Sequence, residues 1–148
     1  MLYLRRAKPS DIDILFEWVN DEEVRTNAFC TAAIRYEEHI AWFTEMMNYP
    51  NQVQYILMSD DKPIGQIRLT INDNTAEISY SISKYNRGCG YGKSIIQLVK
   101  QQVLEDYPEV TKLIGKVKPT NSASLCCFIK NGFQEKYRQL EFDLSLPS

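Results

Sequence analysis

The sequence predicts an α+β domain in which helices flank a mixed, largely antiparallel sheet. Two helical stretches near the start of the chain precede three segments in which apolar residues alternate with period two, as in antiparallel strands. A glycine-rich loop then leads into a long amphipathic helix and a further strand, an order that predicts one crossover connection. Because the 148 residues contain no repeat or linker-like tract, we expect a single domain over residues 1–148.

The first third of the chain predicts one strand and two helices. Residues 2–7 read as a short strand. A helix should open at Pro9-Ser10, with Ser10 as the N-cap and Asp13 three residues later, close to a capping box. A second helix is predicted over residues 36–48, where apolar side chains recur at helical spacing.

The remaining two thirds predict a meander followed by a crossover. Residues 53–59, 63–71 and 75–83 form three strands, and in the third strand Ala76, Ile78, Tyr80 and Ile82 face away from Glu77, Ser79, Ser81 and Ser83. A helix over 93–106, a strand over 112–118 and a short helix that begins at Asn121 or Ser122 and ends at Asn131-Gly132 follow. Residues 133–146 predict a last strand with a bulge or turn near Arg138, because the apolar positions change parity there.

Composition and charge are those of an ordinary globular protein. Hydrophobic residues make up 44% and charged residues 24%, and 17 basic against 19 acidic residues give a net charge of −2. The chain therefore lacks the excess positive charge of a non-specific nucleic-acid binder. No apolar run approaches about 20 residues, and Met1 leads directly into a strand-like segment, so we expect a cytoplasmic protein without a leader or a membrane span.

The cysteines and the single histidine predict neither a disulfide framework nor a metal site. Cys126 and Cys127 are adjacent, Cys89 lies in the glycine loop and Cys30 stands alone. There is no CxxC pair, and His39 has no second histidine to act with it. We expect reduced thiols and no metal cofactor.

The most informative segment is the glycine-rich sequence RGCGYGKS at residues 87–94. Its glycines allow a tight turn that presents backbone N–H groups, and the following helix adds the positive end of its dipole, so the segment predicts an anion site. A Walker A loop would need glycine where Arg87 stands, and a dinucleotide-binding GxGxxG would need its third glycine at Lys93. The loop also follows an antiparallel meander, which disfavours both of these phosphate-binding classes.

Three segments together resemble the GNAT family of N-acetyltransferases. The pattern Arg87-x-x-Gly90-x-Gly92 between a strand and a long helix resembles the family's pyrophosphate-binding loop. Residues 77–82 (EISYSI) resemble its central strand, and residues 121–133 (NSASLCCFIKNGF) resemble its second motif. The element order agrees over nearly the whole chain. The resemblance implies the GNAT fold, acetyl-CoA as the cofactor and transfer of an acetyl group to a primary amine.

The resemblance also implies which residues bind the cofactor. In this fold the central strand splays from its neighbour, so free backbone groups contact the pantetheine arm and one N–H polarises the thioester oxygen. Those groups would belong to Tyr80, Ser81 and Ile82, with Asn121 and Phe128 from the second motif close by. The pyrophosphate would bind at the loop, whose implied cofactor residues are Arg87, Gly88, Cys89, Gly90, Tyr91, Gly92 and Lys93.

Glu77 is the predicted general base, because a carboxylate can take the proton of an ammonium acceptor directly or through water. His39 is the competing candidate on the acceptor side of the fold. The general acid stays open, because the family often carries a tyrosine seven residues after the motif asparagine, and here that position is Phe128. Cys126, Cys127, a nearby tyrosine or water would have to protonate the leaving thiolate instead.

The helical region over residues 16–43 resembles enzymes that acetylate the 4-amino group of a UDP-linked aminosugar in pseudaminic acid biosynthesis. For such an acceptor Arg25 would bind the diphosphate, and aromatic residues such as Phe29 would stack on a base or sugar. Asn27 is a further predicted substrate residue. The alternatives are an N-terminal or small-amine acetyltransferase and a non-catalytic acyl-CoA-binding module. A small-molecule acceptor is expected as partner, without nucleic acid or membrane, and a homodimer is one option.

Overall fold

The computed structural model describes residues 1–145. Its strands and helices, in chain order, are β1 (Leu2–Arg6), α1 (Ile12–Val19), α2 (Glu22–Asn27), α3 (Tyr36–Asn48), β2 (Gln52–Ser59), β3 (Lys62–Asn72), β4 (Thr75–Ile82), α4 (Tyr91–Asp106), β5 (Lys112–Gly115) and α5 (Ser122–Lys130). Within residues 1–145 the strands form one mixed sheet in the order β1-β2-β3-β4-β5. The first four strands are antiparallel, and β5 runs parallel to β4 because α4 crosses over between them. The predicted α+β class and sheet type are confirmed.

The two faces of the sheet are covered to different extents. The face packed against α4 and α5 is apolar along its whole width, with a core that includes Tyr55, Leu57, Ile67, Leu69, Ile78, Ile95, Val99 and Phe128. On the opposite face a smaller apolar cluster packs under α1 and α3, and it includes Leu15, Trp18, Phe43, Met46, Ile56 and Met58. This second cluster ends before β4, where Glu77, Ser79 and Ser81 lie on the same face and stay polar. Because the cover is incomplete, this face of β4 stays accessible. We call Glu77, Ser79, Ser81 and the polar side chains beside them on the same face of the sheet the polar floor.

The start of α1 differs from its prediction. A 3₁₀ turn over Pro9–Asp11 precedes the helix, and no side chain caps either element through Ser10. Asp11 Oδ2 instead accepts the backbone N–H of Lys8 at 2.7 Å, while Arg5 donates to both carboxylate oxygens at 2.7 and 2.9 Å. Asp11 therefore replaces the predicted Ser10–Asp13 pair, because only its carboxylate also meets the arginine of β1.

Helix α2 was not predicted at all. Asp21 caps it, since Asp21 Oδ2 accepts the backbone N–H groups of Glu23 and Val24 at 3.1 and 3.3 Å. The helix has only six residues and no buried side chain, so hydrophobic periodicity could not reveal it.

The predicted last strand, residues 133–146, is wrong over its described part. Residues 133–145 form no strand, and Leu146 lies outside the described residues. Tyr137, Leu140, Phe142 and Leu144 are 74–93% exposed. The alternation of apolar residues is present in the sequence, but no strand of residues 1–145 pairs with this tail, and period-two patterning alone does not form a sheet.

Candidate active site

The glycine loop ends in a left-handed turn that exposes a row of backbone N–H groups. Gly88 and Gly90 have φ angles of 79° and 83°, and Gly90 is the N-cap of α4. Among the hydrogen bonds of residues 1–145, none takes up a backbone N–H between residues 88 and 93. These unpaired amides at the start of a 16-residue helix form a cradle for an anion, so the geometry fits the pyrophosphate group of a CoA-type cofactor.

A gap opens between β4 and β5 immediately after the pair Ile78–Gly115. The backbone N–H of Ser83, an odd residue, donates to Ile64 of β3, and the backbone C=O of Asn74, an even residue, accepts from Thr111 just before β5. Along β4 the backbone N–H and C=O groups of odd residues therefore face β3, and those of even residues face β5. The N–H and C=O of Tyr80 therefore point into the gap, where β5 no longer pairs with them. This unpaired strand edge can accept an extended ligand arm and can supply an oxyanion donor.

Ser81 was predicted to offer its backbone to the cofactor, and the structure contradicts this. As an odd residue of β4 it pairs with Gln66 of β3, and its side-chain Oγ accepts a hydrogen bond from Gln66 Nε2 at 3.1 Å. The backbone N–H and C=O of Ile82, an even residue, face the gap, and the C=O accepts a hydrogen bond from Arg87 Nε at 3.1 Å. Cofactor binding by Ile82 stays a prediction.

Phe128 and Gly115 shape the gap from the side of the core. A Cβ on Gly115 would lie 2.4 Å from the Phe128 ring, so only glycine lets the ring sit against the end of β5. The ring packs edge-on against Tyr80 and Phe133, at centroid distances of 5.7 and 4.9 Å. Phe128 thus acts as an apolar wedge at the point where the strands part, and Asn121 caps the helix that carries it by accepting Ser124 N–H at 3.2 Å.

The Tyr80 hydroxyl lies beside this wedge. It shares a hydrogen bond of 2.9 Å with Ser124 Oγ, and the Cys127 thiol is a close neighbour. Burial raises the pKa of Tyr80, while the hydrogen bond to Ser124 acts in the opposite direction. The tyrosine therefore keeps its proton at neutral pH and places a hydroxyl next to Phe128, the position that has no hydroxyl of its own.

The polar floor carries the predicted base. Glu77 Oε1 forms an ion pair with Lys116 Nζ at 3.0 Å, and the Glu77 side chain is 39% exposed. The hydrogen bond to Glu77 raises the pKa of Lys116. A chain of amides continues the floor, since Gln54 Nε2 donates to Gln66 Oε1 at 2.8 Å and Gln66 donates to Ser81. The carboxylate is thus reachable from solvent on the open face of β4.

Arg68 is a residue of the floor that the sequence analysis missed. It lies on β3 opposite Ser79, with its guanidinium 5.1 Å from the centroid of the Trp42 ring. Burial lowers the pKa of Arg68, and the nearby Glu77 carboxylate opposes that shift. The sequence could have revealed this residue, because Arg68 stands between Ile67 and Leu69 at a position that period-two alternation assigns to the polar face.

Arg87 does not reach toward the anion cradle. Its guanidinium is ion-paired with Asp21 at 2.8 Å and with Glu23 at 2.7 Å, so the loop is tied to α2. Burial alone would raise the pKa of Asp21, but hydrogen bonds from Arg87 and from the Val24 N–H outweigh it and lower the pKa. Two carboxylates neutralise the arginine, and the predicted direct contact with pyrophosphate is replaced by a structural tie.

The predicted acceptor residues are not brought together. Arg25 donates to the backbone carbonyls of Val19, Cys30 and Ala32 at 2.7–3.2 Å, which gives it a structural role in holding the loop after α2. His39 is 2% exposed, and its Nε2 lies 2.9 Å from the Ile12 carbonyl, so its ring is not available to an acceptor. Asn27 ends α2, and Phe29 is 70% exposed in the following loop.

Two further findings concern metals and membranes. Among residues 1–145, no group of three or more histidine, cysteine or carboxylate side chains is arranged to hold a metal ion. In the same part of the chain, no helix is long and apolar enough to cross a membrane.

Comparison with known proteins agrees with this geometry. The sequence model described as "Acetyltransferase (GNAT) domain" matches residues 1–134, which include the cradle, the open strand edge and the second motif. The chain belongs to the GNAT acetyltransferase family. As a GNAT protein it is an N-acetyltransferase with acetyl-CoA as the acetyl donor, and the predicted family, fold and cofactor are confirmed. No curated protein sequence matches the chain significantly.

Solved structures share the fold of this GNAT domain. A domain from Methanocaldococcus jannaschii DSM 2661 is 19% identical with a TM-score of 0.82, over 95% of this chain and 93% of its own. The aminoglycoside acetyltransferase AAC(6')-Ib in complex with coenzyme A is 20% identical with a TM-score of 0.80, over 92% and 86%. Spermidine N-acetyltransferase from Vibrio cholerae in complex with CoA and spermine is 17% identical with a TM-score of 0.83, over 92% and 82%. At these identities the likeness concerns the fold alone.

Proposed function

We propose that residues 1–148 act as one catalytic domain, in which the N–H groups of residues 88–93 hold the cofactor's pyrophosphate and the edge of β4 holds its pantetheine arm. The observation that carries this proposal is the coincidence of two unpaired backbone rows, one at the loop and one at Tyr80, at the same end of β4. When bound, acetyl-CoA supplies the acetyl group as an activated thioester. The Tyr80 N–H is the donor that stabilises negative charge on the thioester oxygen.

Glu77 acts as the general base in this proposal. Its carboxylate lies on the open face of β4, three residues before Tyr80, and accepts a proton from the acceptor's ammonium group directly or through water. Lys116 keeps the carboxylate oriented through the 3.0 Å ion pair. The neutral amine can then attack the carbonyl carbon from the polar floor.

Tyr80 also supplies the proton for the leaving sulfur. Its hydroxyl, rather than the absent hydroxyl at Phe128, lies beside the gap and is hydrogen-bonded to Ser124. As the carbon–sulfur bond breaks, the sulfur keeps the electron pair and takes the Tyr80 proton. The acceptor nitrogen loses two protons in all, one to Glu77 before attack and one to water after the carbon–nitrogen bond has formed. Tyr80 takes up a proton again from water through Ser124, and Glu77 releases its proton to solvent, so the enzyme returns to its starting charge and one proton is released per turnover.

We propose the 4-amino group of a UDP-linked aminosugar as the acceptor. The support is the resemblance of residues 16–43 to the enzymes of pseudaminic acid biosynthesis, and an open floor that carries both a carboxylate and a guanidinium. A positively charged amine attached to a negatively charged nucleotide diphosphate is complementary to this carboxylate and this guanidinium. N-terminal peptides and small polyamines, the alternative acceptors, offer the amine without a nucleotide.

The cellular setting and the assembly are also proposals. Acetyl-CoA is found inside cells, so we place the reaction in the cytoplasm, where the four cysteines stay reduced.

We propose a homodimer in which the exposed apolar side chains of residues 140–144 contact a second copy. Their alternation matches a strand, and the outer edge of β5 has no partner within residues 1–145. Light scattering on the full chain would give the mass directly.

A thiol-release assay with an acceptor panel tests the proposed function. Purified protein is mixed with acetyl-CoA and, separately, with a UDP-linked 4-aminosugar, the free aminosugar, a peptide with a free N-terminus and spermidine. We expect turnover of the UDP-linked sugar and little turnover of the free sugar. Efficient turnover of the peptide with none of the nucleotide sugar would overturn the acceptor assignment, and no CoA release with any amine would overturn the catalytic role.

A further inference from the structure

Arg68 is a positively charged residue of the polar floor that forms no ion pair within residues 1–145. Among residues 1–145 no hydrogen bond or ion pair engages its guanidinium, although the side chain is half-buried between Trp42 and the sheet. The Glu77 carboxylate acts on it electrostatically but is ion-paired with Lys116 at 3.0 Å. Partly buried arginines are ordinarily paired, because removing the guanidinium from water is costly.

The local charges leave one positive charge without a negative counter-charge. Arg68 and Lys116 carry two positive charges against the single negative charge of Glu77. The guanidinium lies over the Trp42 ring at 5.1 Å from its centroid, and its own planar geometry offers paired N–H donors for two oxygens. The neighbouring Gln54 and Gln66 amides bond to one another and to Ser81, and within residues 1–145 neither forms a hydrogen bond with the guanidinium.

We propose that Arg68, stacked on Trp42, is the subsite for an oxyanion of the acceptor, a phosphate or a carboxylate. The inference rests on the proposed function, since it assumes that the floor of β4 binds the amine substrate. It assigns the anion to Arg68 on β3 instead of Arg25, whose donors are occupied by backbone carbonyls. An acceptor that carries an amine and an anion together would place the amine at Glu77 and the anion at Arg68.

This assignment also predicts that polycations are poor acceptors for this protein. A polyamine brought to Glu77 would lie beside a guanidinium that has no counter-charge, and like charges at short range repel. We therefore expect spermidine to be a poor substrate, in contrast to a nucleotide-bearing amine.

Isothermal titration on the full chain tests the subsite independently of catalysis. The protein is first saturated with CoA, so that the amide cradle is occupied, and is then titrated with UDP and, separately, with malonate at low salt. We expect at least one probe to bind, and we expect Arg68→Gln to weaken it about ten- to a hundredfold, the range for charged hydrogen bonds. The probe that binds distinguishes a phosphate from a carboxylate subsite.

Arg35→Gln is the matched control, because Arg35 is an exposed arginine of the same side of the molecule, paired with Glu38 at 2.9 Å. It should leave probe affinity unchanged, and Arg68→Lys should restore it only in part. Binding of neither probe, or equal binding to the wild type and Arg68→Gln with an unchanged Tm, overturns the subsite. Active acetylation in that case would leave the proposed function standing, whereas probe binding without any acetylation would refute the function and not the anion site.

Discussion

At the scale of single residues, the proposed mechanism depends on side chains that flank the exposed edge of β4. Glu77 and Tyr80 lie three positions apart, so the pleat sends their side chains to opposite faces of the strand. The Glu77 side chain therefore lies on the polar floor, where we propose that the acceptor binds, while the Tyr80 ring packs next to Phe128 on the core side. In the proposed mechanism the base and the acid thus act on opposite faces of the sheet.

Replacing Glu77 with glutamine should remove the base and keep the shape of the side chain. We expect kcat/KM to fall by roughly 10²–10⁴-fold, the usual range for a positioned acid–base group, and the acidic limb of the pH–rate profile to flatten. Steady-state kinetics from pH 5 to 9 measure both effects. Glu105→Gln, an exposed change on α4, is the control and should behave as wild type. An unchanged profile in Glu77→Gln would leave water as the base.

Replacing Tyr80 with phenylalanine should affect departure of the thiolate. Because a CoA thiolate is a comparatively good leaving group, we expect kcat to fall by about tenfold, less than is usual for general acids, with KM for acetyl-CoA unchanged. Tyr85→Phe, on a tyrosine that is fully accessible after β4, controls for loss of a phenol elsewhere. Equal kcat values for the two variants would exclude the Tyr80 hydroxyl as the proton donor.

At the scale of elements, the proposed binding of pyrophosphate by the glycine loop requires its backbone to keep the left-handed turn. Gly90 has a φ of 83°, and a Cβ placed there meets no atom within 4 Å, so the constraint is conformational and not steric crowding. β-Branched residues are strained at such angles by about 1–2 kcal/mol. The amide cradle should therefore be lost without loss of the surrounding fold.

Gly90→Val should abolish stabilisation by CoA. A ligand at about 100 times its Kd contributes about 2.7 kcal/mol, which raises the Tm of a domain of this size by roughly 5–10 °C. Differential scanning calorimetry with and without CoA measures the shift. Asp73→Val introduces similar strain at a φ of 55° in the turn between β3 and β4, at the other end of β4 from the loop, and should keep the shift. A full shift in Gly90→Val would mean that the cofactor binds elsewhere.

At the scale of the whole molecule, the unequal cover of the two sheet faces leaves one face of β4 accessible, and this is the face on which we propose that the acceptor binds. α4 and α5 cover one face completely, whereas α1 and α3 leave β4 open. The Arg5–Asp11 ion pair joins β1 to the start of α1 and so anchors the cover on the open face. The hydrogen bond from Arg5 is the main cause of the lowered pKa of Asp11, and burial opposes it.

Stability should therefore depend on pH through Asp11. A carboxyl whose pKa is lower in the folded state stabilises the fold above its unfolded pKa, 3.8, and loses that effect as the pH falls through the folded pKa. Asp11→Asn should lower the free energy of unfolding by about 1.5–3 kcal/mol at pH 7, and the difference should shrink below about pH 4. Urea unfolding at pH 7 and pH 2.5 measures it, with the exposed Asp61→Asn as control. A difference that stays constant with pH would exclude the ion pair as its cause.

The sequence by itself determined the features that are local in the chain. Helix α3 agrees with its prediction at both ends, and the meander strands agree within a residue or so, because hydrophobic periodicity reports burial directly. The left-handed loop at 87–92 was readable from its glycines, since few other residues adopt that backbone. Placing Glu77 on the polar face needed only the alternation of a strand.

The tertiary structure decided which side chains have partners, because partners come from distant parts of the chain. Arg25 and His39 were predicted as acceptor residues, but Arg25 donates to backbone carbonyls and His39 is buried against the Ile12 carbonyl. Arg87 was predicted as a cofactor residue, but α2 brings two carboxylates to it. For Arg68 the tertiary structure suggested a role that we propose, because Trp42 and Glu77 lie near its guanidinium without accepting hydrogen bonds from it. Charge and periodicity describe a residue's own chemistry, whereas its availability to a substrate depends on contacts across the fold.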